Sequence, residues 1–363
     1  MMSKKSKLTL IIDGNWLLMS RLSVLNHNFN SDEEMCKELQ LLMLKSINLV
    51  TKTFQDIDNI VFVSDGGSWR NNIDIPKFLY DEQLEEGQSV EYKGQRTLDP
   101  NTNWELVFKY YEEFIQILQD NGINTCRKQN IEGDDWIWYW STKLNDEYTN
   151  VMIWSMDKDL TQLVKTNTQN GIFTICWNNK TGLTCEDIGQ TNEDPLQFFF
   201  NDINKEFNNR ILDNIINKSK NVSYIHPKEV IIDKIIRGDK GDNIFPIILK
   251  KSNKEDSTKQ FRVSVKDIDF NLNIRDDNEI KNYIHTILNS KKYLNKVNKT
   301  EDNVYEHFKY NYKLVVLDED NYPQDVLDTM NSYIGYNINN NVSPIISYIS
   351  ARNNSIDNIL ETI

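Results

Sequence analysis

Apolar runs that stop at an acid recur along this chain. Leu8-Thr-Leu-Ile-Ile-Asp13 is followed by Gly14-Asn15, and Ile60-Val-Phe-Val-Ser-Asp65 by Gly66-Gly67. Val151-Met-Ile-Trp154 leads through Ser155-Met to Asp157. Short unbroken apolar runs of this kind predict strands buried on both faces. Between them the period becomes helical. Residues 16–25 and 33–54 predict helices, the second with Leu39, Leu42, Met43, Ile47 and Val50 on one stripe. Residues 104–118 are amphipathic and stop at Asn121-Gly122; residues 132–144 predict the next helix, and 159–164 the start of another. Residues 171–177 and 183–185, around Asn178-Asn-Lys-Thr-Gly182, predict a hairpin. Strands alternating with helices predict an α/β fold, with a mostly parallel central sheet flanked by helices.

Beyond residue 187 the pattern weakens. Residues 188–225 are polar and Asn-rich around Phe198-Phe-Phe200, and predict an insertion or linker carrying a helix. Residues 229–237 predict a helix, broken by Gly238-Asp-Lys-Gly-Asp-Asn-Ile-Phe-Pro246. Residues 250–259 are charged, 279–294 helical, 312–318 extended or a short strand, and 323–333 helical, with one more helix in the last twenty residues. The expected organisation is a domain over 1–187, the linker, and a smaller, mainly helical domain over 226–363.

In parallel sheets, ligands bind beyond the carboxyl ends of the strands. Asp13, Asp65 and Asp157 should therefore converge on one edge. Glu132, Asp134 and Asp135 would join them from a helix N-terminus. A helix dipole or a turn preference accounts for an acid here and there; it does not account for three separate strands running into Asp. Asp135 runs straight into Trp136-Ile-Trp-Tyr-Trp140, too apolar for a solvated loop. Acids at the edge of apolar elements are costly unless something positive pairs with them, and only Lys158 lies close in sequence. A hard divalent cation, Mg²⁺ or Mn²⁺, suits such oxygen ligands.

Composition narrows the class further. The 363 residues allow two domains, and the net charge of −13 disfavours a non-specific nucleic-acid coat protein. It leaves room for an enzyme whose carboxylates gather at a metal centre. No run of eighteen apolar residues suggests a membrane span. The basic start leads into a short apolar run ended by Asp13, a strand and not a signal peptide. Four scattered cysteines without a CxxC pair fit reduced thiols in the cytoplasm.

Asp13-Gly-Asn15, Ser64-Asp65, Glu132-Gly-Asp-Asp135, Asp157-Lys-Asp159 and Gly238-Asp-Lys-Gly-Asp-Asn243, in that order, resemble the acidic motifs of the 5′-nucleases. That family holds flap endonucleases, the 5′-nuclease domain of bacterial DNA polymerase I and phage 5′-exonucleases. The resemblance spans roughly residues 8–335, with a layout most similar to the T-even phage ribonuclease H. It implies a PIN-like 5′-nuclease core and two metal groups. Asp13, Asp65, Glu132 and Asp134 would serve the first; Asp157, Asp159, Asp239 and Asp242 the second; Asp135 would lie between them as a catalytic residue. Tyr92-Lys-Gly-Gln-Arg96 resembles the family arch, placed here at about residues 70–103. Lys93 and Arg96 would contact the scissile phosphate, with Arg70 a weaker candidate for the same wall.

The resemblance further implies Mg²⁺, two ions or more, with Mn²⁺ able to substitute. It implies hydrolysis at 5′ ends or flaps of branched or nicked duplex DNA and of RNA–DNA hybrid, removing RNA primers during lagging-strand replication. The implied partners are a single-stranded-DNA-binding protein and a sliding clamp, with a monomer and no membrane. Two departures stand out. The segment between Trp69 and Tyr92 is acidic (Asp74, Asp81, Glu82, Glu85, Glu86, Glu91) where a basic arch is the simple expectation. Ile244-Phe-Pro-Ile-Ile-Leu249 lacks the glycines of the family hairpin, so duplex binding falls to Lys250, Lys251 and Lys254, helped by Lys259, Arg262 and Lys266. Three other readings compete: a phosphatase-like hydrolase, which wants a second acid where Asn15 stands; a PIN-type RNA endonuclease sharing part of the acidic core; and a non-catalytic structure-specific DNA-binding protein, which gives no reason for a complete acid set.

Overall fold

A computed structural model describes residues 7–25, 29–81, 89–147, 149–167, 169, 171–188, 203–248, 263–294 and 299–335. The expectations for Phe198-Phe-Phe200, for Glu82, Glu85 and Glu86, for Lys250, Lys251, Lys254, Lys259 and Arg262, and for the last twenty residues lie outside the described residues. The strands in chain order are β1 (Lys7–Asp13), β2 (Ile57–Val63), β3 (Asn124–Cys126), β4 (Thr149–Trp154), β5 (Lys165–Thr166), β6 (Phe173–Asn178), β7 (Gly182–Glu186) and β8 (Val222–Ile225). The helices are α1 (Gly14–Leu22), α2 (Asp32–Thr53), α3 (Lys77–Asp81), α4 (Trp104–Asp120), α5 (Gly133–Asp146), α6 (Ile203–Lys218), α7 (Pro227–Arg237), α8 (Asp277–Leu288), α9 (Glu301–Val315) and α10 (Gln324–Asn331). They fall into two compact units: described residues up to Ser68, with Leu98–Ile225 and from Tyr322 onward; and Trp69–Thr97 with His226–Asn321.

The first unit holds every strand among the described residues, in the order β3-β2-β1-β4-β6-β7-β8, with β5 paired to β6. β1 runs parallel to both β2 and β4, β3 parallel to β2, and β6 parallel to β4; β6–β7 is the expected antiparallel hairpin. Register places Asp13 opposite Val63 and Ile12 opposite Trp154, so the chain leaves β1, β2 and β4 at one edge. Leu8, Leu10, Ile11 and Ile12 are all fully buried, as an apolar run without alternation requires. α2 and α4 cover one face with Leu39, Met43, Ile47, Val50, Val107 and Phe114, and Ser31 caps α2 by accepting from Glu34 N.

Residues 203–225 do more than link. Ile211, Leu212 and Ile215 of α6 are buried in the same core as β1, and β8 pairs parallel with β7. The strand escaped the sequence reading because Val222-Ser-Tyr-Ile225 is a short edge strand, part exposed, without an apolar run. The helix expected from Asp159 is a single 3-10 turn, Asp159–Leu163, ahead of β5. The described residues from Tyr322 pack within this unit: Tyr322 stacks on Trp138 at 4.5 Å and Tyr333 meets Trp136 edge-on at 4.9 Å.

Gly66 marks a crossing of backbones. Its N–H donates to Ile131 O at 2.8 Å and its carbonyl accepts from Asn130 N at 3.0 Å. A Cβ added there would lie 1.7 Å from Lys128 O. Gly66→Ala is therefore expected to destabilise the chain by about 2–3 kcal/mol, read as an earlier unfolding midpoint in denaturant.

The second unit is mainly helical. α3, α7, α8 and α9 bury Leu79, Ile232, Ile235, Ile236, Ile280, Ile284 and Phe308 together, and Val90 joins them. The stretch 312–318, expected to be extended, is helical through Val315. Val304, Phe308, Asn311 and Val315 recur at helical spacing on the buried face, and Asn311 Nδ2 donates to both Ile235 O and Phe245 O at 2.8 Å. That packing outweighs the β preference of Val315-Val316.

Candidate active site

In the first unit the site is built at the shared edge of β1, β2 and β4. Asp13 ends β1 and caps α1: Oδ1 accepts from Trp16 N at 2.9 Å and Oδ2 from Ser155 Oγ at 2.7 Å. Ser155 in turn accepts from Asp157 N at 3.0 Å, and Asp157 Oδ1 accepts from Asp159 N at 2.8 Å. One hydroxyl thus joins the ends of β1 and β4. Asp65, past the end of β2, is held from two sides. Asn15 Nδ2 donates to its Oδ2 at 2.6 Å, and Gly133 N, at the start of α5, to its Oδ1 at 2.6 Å. A Cβ at Gly133 would meet that oxygen at 3.0 Å, so the glycine lets the carboxylate sit on the helix N-terminus.

Glu132 and Asp135 form a capping box around the first turn of α5, with Glu132 N donating to Asp135 Oδ2 at 3.0 Å. Ser68 Oγ donates to Glu132 Oε2 at 2.7 Å. Glu132 and Asp135 are buried, Asp134 is half-buried in the same turn, and Asp157 is exposed. Behind this row, Tyr111 OH and Ser64 Oγ lie 2.6 Å apart, and Tyr111 donates a longer bond, 3.4 Å, to Asn15 Oδ1.

The electrostatics of Asp13 test whether these residues suit a cation. Burial pushes its carboxyl up to about 7, against the hydrogen bonds from Trp16 and Ser155, and Asp65 and Asp157 push it further. The charges acting on this buried acid are other acids. A divalent ion relieves that cost, and carboxylates are hard ligands, so the set fits Mg²⁺ or Mn²⁺.

In the second unit, Asp242 is buried between cations. Lys234 Nζ donates to its Oδ2 at 2.9 Å and lies 3.2 Å from Asp239 Oδ2; Arg96 Nη2 donates to its Oδ1 at 2.5 Å. Burial opposes ionisation of Asp242, but Lys234, Lys93 and Arg96 more than reverse it and hold its pKa below the usual carboxylate range. Lys93 has left-handed backbone, φ 56°, and its Nζ sits over the Tyr92 ring at 5.0 Å. Arg70, expected on a phosphate-facing wall, is instead 3 % exposed, and its Nε donates to Leu314 O at 3.0 Å. Its place in the sequence, after Ser68-Trp69 in a polar stretch, gave no sign of that burial. Asn15, Ser68, Ser155, Lys234 and Asn243 were missed as supporting residues. The first three lie within three residues of a predicted acid or on a shared loop; Lys234 sits on α7 with no local signal that it faces Asp242.

A largely parallel sheet whose strands run into Asp13, Asp65 and Asp157, beside a helix opening on Glu132–Asp135, defines a resolvase-like, PIN-type domain. Residues 8–187 match the family model of the 5′-3′ exonuclease, N-terminal resolvase-like domain. Over 165 residues, 45 % of this chain and 50 % of the relative, the sequence is 32 % identical to a 5′-3′ exonuclease of Buchnera aphidicola subsp. Schizaphis graminum. Over 166 residues it is 29 % identical to a 5′-3′ exonuclease of Mycoplasmopsis pulmonis, covering 45 % of this chain and 47 % of that one. The chain spans about half the length of the curated relatives it matches. Among solved structures it resembles a T5 protein co-crystallised with metal ions, at TM-score 0.51 and 18 % identity over 90 % of this chain and 97 % of that one. A bacteriophage T5 flap endonuclease in a pseudo-enzyme–product complex with DNA and metal ions gives TM-score 0.51 and 19 % identity over the same shares. At these identities the likeness is one of fold. By residues 8–187, this chain carries the N-terminal, resolvase-like domain of the 5′-3′ exonuclease family.

Proposed function

We propose that this chain is a metal-dependent 5′-nuclease. It hydrolyses phosphodiesters at 5′ ends or flaps of branched or nicked duplex DNA and of RNA–DNA hybrids, and so removes RNA primers in lagging-strand replication. The observation that carries the reading is the convergence of Asp13, Asp65 and Asp157, from three separate strands, with Glu132 and Asp134 at one sheet edge. Asp13, Asp65, Glu132 and Asp134 would hold a first Mg²⁺ group, and Asp157 and Asp159 belong to the acids assigned to a second. When bound, the ions supply an activated water and stabilise charge on the attacking and leaving oxygens.

The chain's own groups prepare that chemistry. Ser155 fixes one oxygen of Asp13 and the turn that carries Asp157. Asn15 and Gly133 N fix Asp65, so the carboxylates need little reorganisation to bind. Glu132 is oriented by Ser68, and Asp135 contributes by capping the turn that presents Glu132 and Asp134. Lys93 and Arg96 supply the positive charge that an anionic phosphate requires as it approaches acids.

Short products released from a 5′-labelled flap in Mg²⁺, and none in excess EDTA, are the expected result with purified protein. The same flap made with an RNA 5′ segment reads out primer removal. No products in Mg²⁺ or in Mn²⁺ would count against the assignment.

A further inference from the structure

Within the second unit, the segment that carries Lys93 and Arg96 is tied to the loop Asp239–Asn243. Lys93 N donates to Asp242 O at 2.9 Å, and Arg96 Nη2 to Asp242 Oδ1 at 2.5 Å. Asn243 Nδ2 donates to Ser89 O at 2.8 Å and to Glu91 O at 2.7 Å. From the other side, the ammonium of Lys234, itself buried, takes the second oxygen of Asp242. The Arg96 side chain is 55 % exposed, and a surface ion pair of that kind holds little by itself. The Asn243 amide is different. It is buried, and losing it would take the side-chain donor from Ser89 O and leave Glu91 O only the bond from Gly94 N at 3.0 Å. Asn243 has φ 58°, a left-handed backbone that Asn adopts more readily than most residues, so side-chain and backbone demands coincide at this position.

We propose that Asn243 is a positioning residue whose amide closes a clasp fixing the Lys93–Arg96 segment on Asp242. The two cations are then presented in a preset place and not on a free loop, which is what lets a charged group act in the transition state without reorganising first. The effect on cleavage rests on Lys93 and Arg96 serving the substrate phosphate; the clasp itself does not.

Two full-length variants test it. Asn243→Gly removes the amide and keeps a residue at ease at positive φ. Asn243→Asp keeps the size and turns a donor into an acceptor facing two carbonyls. With metal chelated, trypsin cleavage after Lys93 and Arg96, followed by mass spectrometry, is expected to quicken about tenfold in Asn243→Gly. That is the order by which losing two hydrogen bonds raises an open population. Asn243→Asp should open further; if it does not fold, the glycine variant decides. With saturating flap in Mg²⁺, single-turnover cleavage by Asn243→Gly should fall about tenfold, with affinity for the flap held within about twofold. Unchanged trypsin cutting would overturn the clasp. Faster trypsin cutting with an unchanged single-turnover rate would overturn the positioning role. A wild-type chain that cuts no flap, beside faster trypsin cutting in the variant, would leave the clasp standing and remove the nuclease reading beneath it.

Discussion

Asp157→Asn is expected to lower turnover at least about a hundredfold while leaving substrate binding intact, since a metal ligand contributes several kcal/mol to the transition state. The substitution is well suited to isolating charge. Asp157 Oδ1 accepts from Asp159 N at 2.8 Å, and an asparagine keeps that acceptor. Its backbone N–H to Ser155 Oγ is untouched, and its side chain is exposed, so the loop and the fold should persist. Removing a negative charge does not weaken attraction for phosphate, so affinity should hold or rise. Steady-state cleavage and equilibrium binding measured side by side decide the matter. Near-normal cleavage in Mg²⁺ would show that Asp157 holds no metal needed for the reaction.

Lys93→Ala is the second large effect. The acids at the strand ends and the substrate phosphate repel one another, and a cation must offset that as the phosphate arrives. In the proposed role, a Lys93 contact would be strongest with the charge that develops during cleavage, so the rate should fall about a hundredfold and affinity much less. Lys93 lies at φ 56°, where alanine is strained, so Lys93→Asn, which tolerates that backbone, separates lost charge from lost conformation. Arg96→Ala should act in the same direction and less severely. Part of the Arg96 charge is already committed to Asp242. If Lys93→Asn, saturated with substrate, cleaves at the wild-type rate, Lys93 does not serve the phosphate.

The parallel core was legible in the sequence because burial on both faces demands unbroken apolar runs, and β1, β2 and β4 have them. The convergence of Asp13, Asp65 and Asp157 followed from the same fact, since parallel neighbours end on one edge. What stayed hidden depends on packing at a distance. β8 is too short and too exposed to announce itself, and α9 absorbs Tyr312–Val315 because Asn311 and Phe308 face the interior. Arg70 looked like a surface cation and is buried against a helix carbonyl. Ser155 and Asn15 were visible beside the acids, but their hydrogen bonds cross 142 and 50 residues of chain, which no local pattern reports. Asn243 works by the same long-range logic, its amide reaching Ser89 and Glu91 across 154 and 152 residues, and Arg96 reaches Asp242 across 146.

The claim that the strand-end acids form a cation site is tested most directly by Mn²⁺ binding to the substrate-free chain, followed by electron paramagnetic resonance and calorimetry. Saturable binding in the wild type is expected, weakened about tenfold or more in Asp13→Asn, where the charge is removed and the Trp16 and Ser155 contacts can be retained. Mn²⁺ that binds equally well to both proteins, or to neither, would contradict a metal centre at the edge of β1, β2 and β4.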